Sequence, residues 1–146
     1  MPAVSNNDAN MGPEGAGDWG DLTIDFAAFP PHNLAPLLKG LVDDRCQCPH
    51  WGYLFKGKIV VRYADHEELI EAGQAFYMPP GHVPEALEEC ELLQFSPTGP
   101  RLEVVEAMGR NAQAMLPGGG APTTRREAVE IVRQSAEIVS SADERP

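Results

Sequence analysis

The chain has 146 residues, of which 42% are hydrophobic, and its 14 glycines and 14 prolines are more than long uninterrupted helices tolerate. This length leaves room for one domain and excludes a second independent core, and the composition favours an all-β domain with many turns. The formal net charge of −11 repels phosphate backbones, so we expect no nucleic-acid partner, whereas a small molecule, a cation or another protein remains compatible with it.

The first 20 residues are rich in Asn, Gly, Asp and Pro and contain almost nothing apolar, which predicts a disordered arm. They show neither a basic leader nor the apolar centre of a signal peptide, and nowhere in the sequence do about 18 apolar residues run together. We therefore expect a cytoplasmic protein with no membrane partner. Three cysteines, an odd number, fit reduced thiols in that compartment better than a disulfide framework.

Short candidate strands separated by turn signals occupy the middle of the chain. The first covers residues 22–29, and a regular series begins after Arg45. Turns about every 8 to 12 residues, without βαβ alternation, are typical of a sandwich or barrel. The strands of this series are predicted at residues 53–55, 59–63, 67–71, 76–78 and 90–95.

The barrel domain is predicted to cover residues 21–97 and to be followed by a helical extension over residues 98–146. Apolar residues at helical spacing predict a helix over residues 101–116, and a Gly/Pro linker follows at 117–122. A capping box from Thr124 to Glu127 then introduces an amphipathic segment. We expect this segment to pack on its own domain or on a partner subunit.

Cys46, Cys48 and His50 stand at every second position of the stretch CQCPHWGYLFKG. Side chains alternate between the two faces of a strand, so a regular strand would point all three the same way. Thiolate and imidazole ligands together favour zinc, iron, nickel or copper over calcium or magnesium. Pro49 confines the segment to a sheet edge, a bulge or a loop, because proline lacks a ladder donor.

One strand rarely supplies a complete metal site, and the best additional donor is His82, which follows a rigid Pro-Pro-Gly turn. The alternative interpretation is packing, because cysteine is often buried as a small hydrophobe and an interior histidine can form hydrogen bonds within the barrel. Cys90, at the start of a predicted strand, is interpreted as a core residue. Trp51 and Tyr53 have the opposite parity to His50, so we expect packing or dimer-contact aromatics on the other face.

The glycine and proline skeleton of residues 45–97 resembles the cupin domain, a small barrel of two antiparallel sheets with a metal or ligand pocket inside. The first cupin motif ends in an acidic residue, six variable residues and a glycine; His50 and Gly57 have this spacing, with histidine in place of the acid. The second motif, a glycine, five residues and then Pro-x-Gly, is matched from Gly73 to Gly81. The resemblance implies a double-stranded β-helix, or jelly-roll barrel.

Several ligand positions of the usual cupin motifs carry other residues here, so the standard site of three histidines and one glutamate cannot form. The stretches PHWGYLFKG and PPGH resemble a subgroup of small bacterial cupins, and this resemblance implies His50 and His82 as the pocket pair. Cys46 or Cys48 would be the third ligand. The altered positions are Asp44 and Cys46, or Asp43 and Arg45 with a longer gap, in the first motif and Pro84 in the second.

A Cys/His ligand set predicts zinc, with iron or nickel as alternatives. An iron site of the facial-triad type would need a carboxylate from Asp44, Glu85 or Glu88. Two functions stay open: a metal-capable cupin that binds a small organic molecule, with or without transforming it, and a non-catalytic module for metal or redox sensing or small-molecule binding. A closed set of four ligands favours sensing, whereas three ligands and an open position favour catalysis. We also expect a homodimer that forms through the sheet edges.

Overall fold

The computed structural model describes residues 18–115 of the chain. Within this range, nine β-strands form two antiparallel sheets and are followed by one α-helix. The strands are β1 (Asp18–Trp19), β2 (Leu22–Phe29), β3 (His32–Asn33), β4 (His50–Lys56), β5 (Lys58–Arg62), β6 (Glu67–Glu71), β7 (Ala75–Met78), β8 (Val83–Ala86) and β9 (Cys90–Pro97). The α-helix is α1 (Thr98–Met115), and two 3-10 helices, Ala35–Leu37 and Val42–Asp44, lie between β3 and β4.

The first sheet has the strand order β1-β2-β9-β4-β7, and the second has the order β3-β8-β5-β6. Every pairing between named strands is antiparallel in the described range. The tight turn from β4 to β5 needs Gly57, which has a φ of +95° and on which a Cβ atom would lie 2.6 Å from Cys90 Sγ. The predicted all-β architecture of two sheets with a C-terminal helix is confirmed.

The sequence patterns miss the short strands β3 and β8. β3 has only two residues, and β8 contains Pro84, whose missing N–H argues against a strand. Pro84 nevertheless pairs with Val61 of β5, and its carbonyl accepts a hydrogen bond from the N–H of Leu34 at 3.1 Å. The helix predicted over residues 101–116 begins earlier, at Thr98.

Two predicted segments lie largely outside the described residues. Of the arm predicted over residues 1–20, the structure describes only 18–20, where Asp18–Trp19 form β1 and pair with β2. The linker at 117–122 and the amphipathic segment after Thr124 are outside the range altogether. Among the helices that are described, none is both long and apolar enough to span a membrane. The cytoplasmic location stays a prediction.

The interior has an apolar end and a polar end. The apolar end is a single cluster of buried side chains from both sheets: Leu54, Ile59, Val61, Ile70, Met78, Ala86, Cys90 and Leu92. The polar end consists of buried side chains that carry a polar or thiol group: Thr23, Asp25, Cys46, Cys48, His50, His82 and Ser96. Helix α1 covers the polar end, since its Val104 and Met108 belong to one cluster with Cys46 and Cys48.

The outer face of the five-stranded sheet carries aromatic side chains. Trp51 is 44% exposed, and it stacks on Tyr77 with 5.2 Å between the ring centroids. Tyr53 and Phe55 are exposed on the same strand. Trp51 and Tyr53 therefore lie at the surface, as their parity predicts, while the homodimer stays a prediction.

Candidate metal centre

Three buried side chains, Cys46, His50 and His82, meet at the polar end. One potential ligand atom from each residue lies within 4.8 Å of the other two. The Sγ of Cys46 is 3.7 Å from Nε2 of His50, and the imidazole rings of His50 and His82 have their centroids 5.1 Å apart. The structure thus brings together both predicted histidines and one of the two predicted cysteines.

The main chain holds Cys46 and His82 side by side. The N–H of Cys46 donates to the carbonyl of His82 at 3.0 Å, and the N–H of Gly81 donates to the carbonyl of Cys46 at 2.8 Å. Gly81 has a φ of +95°, a conformation that glycine adopts without strain. The Pro-Pro-Gly turn therefore sets the position of His82 by pairing its backbone with the segment that carries Cys46.

His50 is the first residue of β4, and Ser96 on the neighbouring strand β9 fixes its ring. The Oγ of Ser96 lies 2.6 Å from Nδ1 of His50. When Nδ1–H donates to this hydroxyl, Nε2 carries the lone pair and faces Cys46. A partner on the far nitrogen is the usual arrangement for a histidine that binds a metal.

His82 has one satisfied nitrogen and one free nitrogen. Its Nδ1 lies 2.6 Å from the carbonyl oxygen of Pro79, which can only accept, so Nδ1 carries the proton. Its Nε2 therefore has a lone pair, and this buried atom has no hydrogen-bond partner among the described residues. An unsatisfied buried acceptor is costly, and a metal ion would satisfy it. The residues present therefore fit a metal with nitrogen and sulfur ligands.

Burial sets the protonation of these groups. It lowers the pKa of His82, and it lowers the pKa of His50 far below the usual range, with the nearby charges of Arg101 and His82 contributing. Both imidazoles are therefore neutral at pH 7, as metal ligation requires. Burial also raises the pKa of Cys46, so this thiol must lose its proton when it binds a metal.

Cys48 is buried beside this cluster but is not part of it. Strand β4 starts only at His50, so the regular alternation that would align Cys48 with its neighbours does not extend to it. Its Sγ lies 3.5 Å from the carbonyl oxygen of Pro49 and 4.0 Å from that of Pro97. Burial, together with the nearby Cys46, raises its pKa to about 12. Cys48 thus has the surroundings of a packed thiol.

The three carboxylates considered for an iron site lie elsewhere. Asp44 is exposed and accepts a hydrogen bond from the N–H of Gly40 at 2.8 Å. Glu85 forms an ion pair with Arg62 at 2.7 Å, and Glu88 is exposed. None of them belongs to the cluster of potential ligands within residues 18–115.

Three further residues of the polar end were missed by the sequence patterns: Ser96, Asp25 and Arg101. Nε of Arg101 donates to Oδ2 of Asp25 at 3.3 Å, and the Asp25 side chain is only 5% exposed. A charged residue inside the otherwise apolar strand β2 was a usable signal for Asp25. Ser96 and Arg101 gave no comparable signal, because serine and arginine near the end of a strand or the start of a helix are ordinary.

No protein-family model matches the chain, and no curated protein matches it. Solved structures do show similarity. A cupin-2 domain containing protein from Shewanella frigidimarina is 18% identical over 56% of this chain and 74% of that chain, with a TM-score of 0.37. The chain is thus similar to solved structures of cupin proteins.

Two other solved structures are also similar to this chain. A protein of unknown function from Rhizobium leguminosarum is 19% identical over 66% of this chain and 95% of that chain, with a TM-score of 0.47. A mutant of oxalate decarboxylase from Bacillus subtilis is 20% identical over 53% of this chain but only 21% of that chain, with a TM-score of 0.35.

Proposed function

We propose that this protein binds one divalent metal ion through Cys46, His50 and His82 and that it binds and transforms a small organic molecule beside the ion. The proposal rests on one observation: Cys46, His50 and His82 each place a potential ligand atom within 4.8 Å of the other two, and Nε2 of His82 is buried without a partner in the described structure. Three protein ligands leave a coordination position open, which is the usual state of a catalytic zinc site.

Zinc is the metal that this ligand set favours, because thiolate and neutral imidazole suit its tetrahedral coordination. Iron and nickel are the alternatives. The lack of a carboxylate in the described cluster supports zinc over the facial triad of iron oxygenases. A bound divalent ion would supply Lewis-acid polarisation of a carbonyl group or activation of water.

The residues around the three ligands support this role by fixing the rings. Ser96 and the carbonyl of Pro79 each contact the Nδ1 atom of one histidine, which leaves the Nε2 atoms to face the cluster. Val104 and Met108 of α1 pack against the segment that carries Cys46, so they limit access of water. A site of this kind favours a small ligand that enters a largely dry cavity.

A metal- or redox-sensing module is the second candidate function. It would need Cys48 as a fourth ligand, and the observation in its favour is that Cys48 is buried close enough to Cys46 for their charges to interact. Against it, the Sγ of Cys48 lies next to the carbonyl oxygens of Pro49 and Pro97. The contacts of Cys48 therefore support three ligands and the first function.

Elemental analysis of the purified protein tests the metal proposal. We expect about one zinc per chain in the wild type and its loss in Cys46→Ser, His50→Ala and His82→Ala, because three ligands act together. Cys90→Ser is the matched control, since Cys90 is equally buried but lies at the apolar end. Cys48→Ser decides between the two functions: it keeps the metal if three residues bind it and loses it if four do.

Two results would contradict the metal proposal. Stoichiometric metal that survives all three substitutions would show that the ion binds elsewhere. Wild-type protein that stays free of metal after supplementation with zinc, iron and nickel would favour the packing interpretation of the buried thiols and imidazoles.

A further inference from the structure

Arg101 of α1 belongs to the polar end although it is not a potential metal ligand. It is the fourth residue of the helix, one turn before Val104, which packs in one cluster with Cys46 and Cys48. Its side chain is only 17% exposed. The start of the helix is held in place, because the hydroxyl groups of Thr98 and Thr23 are 2.9 Å apart.

The guanidinium of Arg101 has more donors than its described partners use. A guanidinium presents five N–H donors in a fixed fork. Within residues 18–115, Arg101 makes one side-chain hydrogen bond, from Nε to Oδ2 of Asp25 at 3.3 Å. Its two Nη groups, which form the open end of the fork, make no hydrogen bond to the residues that the structure describes.

The ion pair stands next to the residue that orients His50. Asp25 lies two positions after Thr23 on β2, so both side chains are on the inner face of the sheet. Thr23 pairs with Ser96, and the Oγ of Ser96 contacts Nδ1 of His50 at 2.6 Å. The charge of Arg101 also contributes to the lowered pKa of His50.

A partly paired guanidinium that is largely shielded from water is suited to bind an anion. Its planar fork matches the two oxygens of a carboxylate, and such charge-assisted pairs are stronger when they are shielded from water. The rest of this chain is unsuited to anions, because its net charge is −11. Arg101 is therefore a local exception at the only described cluster of Cys and His residues.

We propose that Arg101 binds the carboxylate of a small organic acid, whose other end lies at the Cys46/His50/His82 cluster. This inference deepens the proposed function, on which it rests, by naming small carboxylates as the ligand class. The competing role is structural, in which Arg101 only ties α1 to Asp25 on β2. The structural role requires Asp25 as the partner of Arg101, whereas anion binding by Arg101 does not require it.

Calorimetric titration with malonate and with its neutral analogue malonamide tests the proposal. The protein is used with and without Co²⁺, whose binding to the thiolate is followed by its charge-transfer absorption. We expect wild-type protein to bind malonate at least about 10-fold more tightly than malonamide, because only malonate carries negative charge that pairs with the guanidinium. Arg101→Met should weaken malonate binding by about 10-fold to 100-fold and leave Co²⁺ binding unchanged.

Two further variants separate anion binding from a structural role. Arg110→Met, which removes an exposed arginine from the same helix, should bind malonate as the wild type does. Asp25→Asn should keep malonate binding, because it frees the guanidinium. Equal loss of malonate binding in Asp25→Asn and Arg101→Met, with lowered thermal midpoints in both, would establish the structural role and overturn the proposal.

The outcome for Arg101 can be read separately from the outcome for the metal. If Co²⁺ does not bind, the metal proposal fails, and malonate titration of the metal-free protein still decides the role of Arg101. The inference is overturned if neither form binds malonate, if both forms bind malonate and malonamide equally, or if Arg101→Met binds malonate like the wild type.

Discussion

At the apolar end of the interior, Leu54 of β4 and Leu92 of β9 pack in one cluster, whereas a few residues away the same two strands place His50 and Ser96 in hydrogen-bond contact. All four side chains are buried. The same two strands therefore contribute to both ends, and their side chains make one end a core and the other a candidate site. Function in this fold is a local departure from apolar packing along shared strands.

The two ends can also be compared through one residue type, because each contains a buried cysteine. Cys46 and Cys90 are each at most 3% exposed, and burial raises the pKa of both thiols, to about 11 for Cys90. The Sγ of Cys90 contacts the carbonyl oxygens of Glu88 and Lys58, whereas that of Cys46 lies 3.7 Å from a carbonyl oxygen, that of Cys48, and 3.7 Å from an imidazole nitrogen, Nε2 of His50. Burial and pKa thus do not identify a ligand cysteine, but its neighbours do.

The largest effect that separates the two ends should come from Leu54→Ala. Leu54 has no exposed surface, so the cavity left at the apolar end should lower the free energy of unfolding by about 2–5 kcal/mol. Zinc content per folded chain should not change. Urea denaturation measures the free energy of unfolding, and elemental analysis measures the zinc content. Leu69→Ala is the control, because Leu69 is 53% exposed. A parallel loss of zinc would show that the ends are not independent.

Ser96→Ala should lower the affinity for zinc more than it lowers the free energy of unfolding. It removes the hydroxyl that fixes the ring of His50, so zinc affinity should fall by about 10-fold to 100-fold, a typical cost for a lost partner of a metal-binding histidine. The free energy of unfolding of the metal-free protein should fall by only about 1 kcal/mol. Competition with a chromophoric chelator measures the affinity. Ser96→Thr, which keeps the hydroxyl, should retain most of the affinity, and a loss equal to that of Ser96→Ala would argue against the hydrogen bond.

Mild acid should destabilise the polar end first. Burial lowers the pKa of His50 and His82 in the folded protein below the usual value of 6.5, so under that pH the unfolded chain binds protons that the folded chain does not. The free energy of unfolding should therefore be constant above about pH 7 and fall below pH 6.5, by at most about 1.4 kcal/mol per pH unit for each histidine.

Urea denaturation of the chelator-treated protein between pH 7.5 and pH 5.5 measures this loss. His50→Gln should reduce the slope of the pH dependence, because it removes one of the three histidines whose pKa burial lowers, namely His32, His50 and His82. His66→Gln is the control: Asp65 raises the pKa of the exposed His66, so its removal should not flatten the curve. A curve of unchanged slope in His50→Gln would show that this imidazole does not titrate differently in the two states.

Much of the fold could be predicted because its strands follow local rules. The strand Glu67–Glu71 has the bounds that the pattern predicts, and so does Leu22–Phe29. Glycines at tight turns marked where strands end. β8 could not be predicted, because Pro84 argues against a strand and only the neighbouring strands β3 and β5 make the segment one. Such pairing depends on residues distant in sequence.

The candidate site was predictable in its residue types and less so in its geometry. His50 and His82 stood out by composition and resemblance, and the structure brings them together. The distinction between Cys46 and Cys48 was not accessible, because it depends on where β4 begins and on a backbone pairing between Cys46 and His82. Arg101 was missed because its place beside Asp25 follows from packing of the helix on the sheet.

The backbone pairing of Cys46 with His82 has a consequence for selectivity among metals. Two ligand residues that share main-chain hydrogen bonds behave as one rigid bidentate chelator, whose bite is set when the chain folds. His50, which comes from a different strand and is held through a side-chain contact, is the adjustable third ligand. Ions with different bond lengths should thus differ mainly in how far they displace His50.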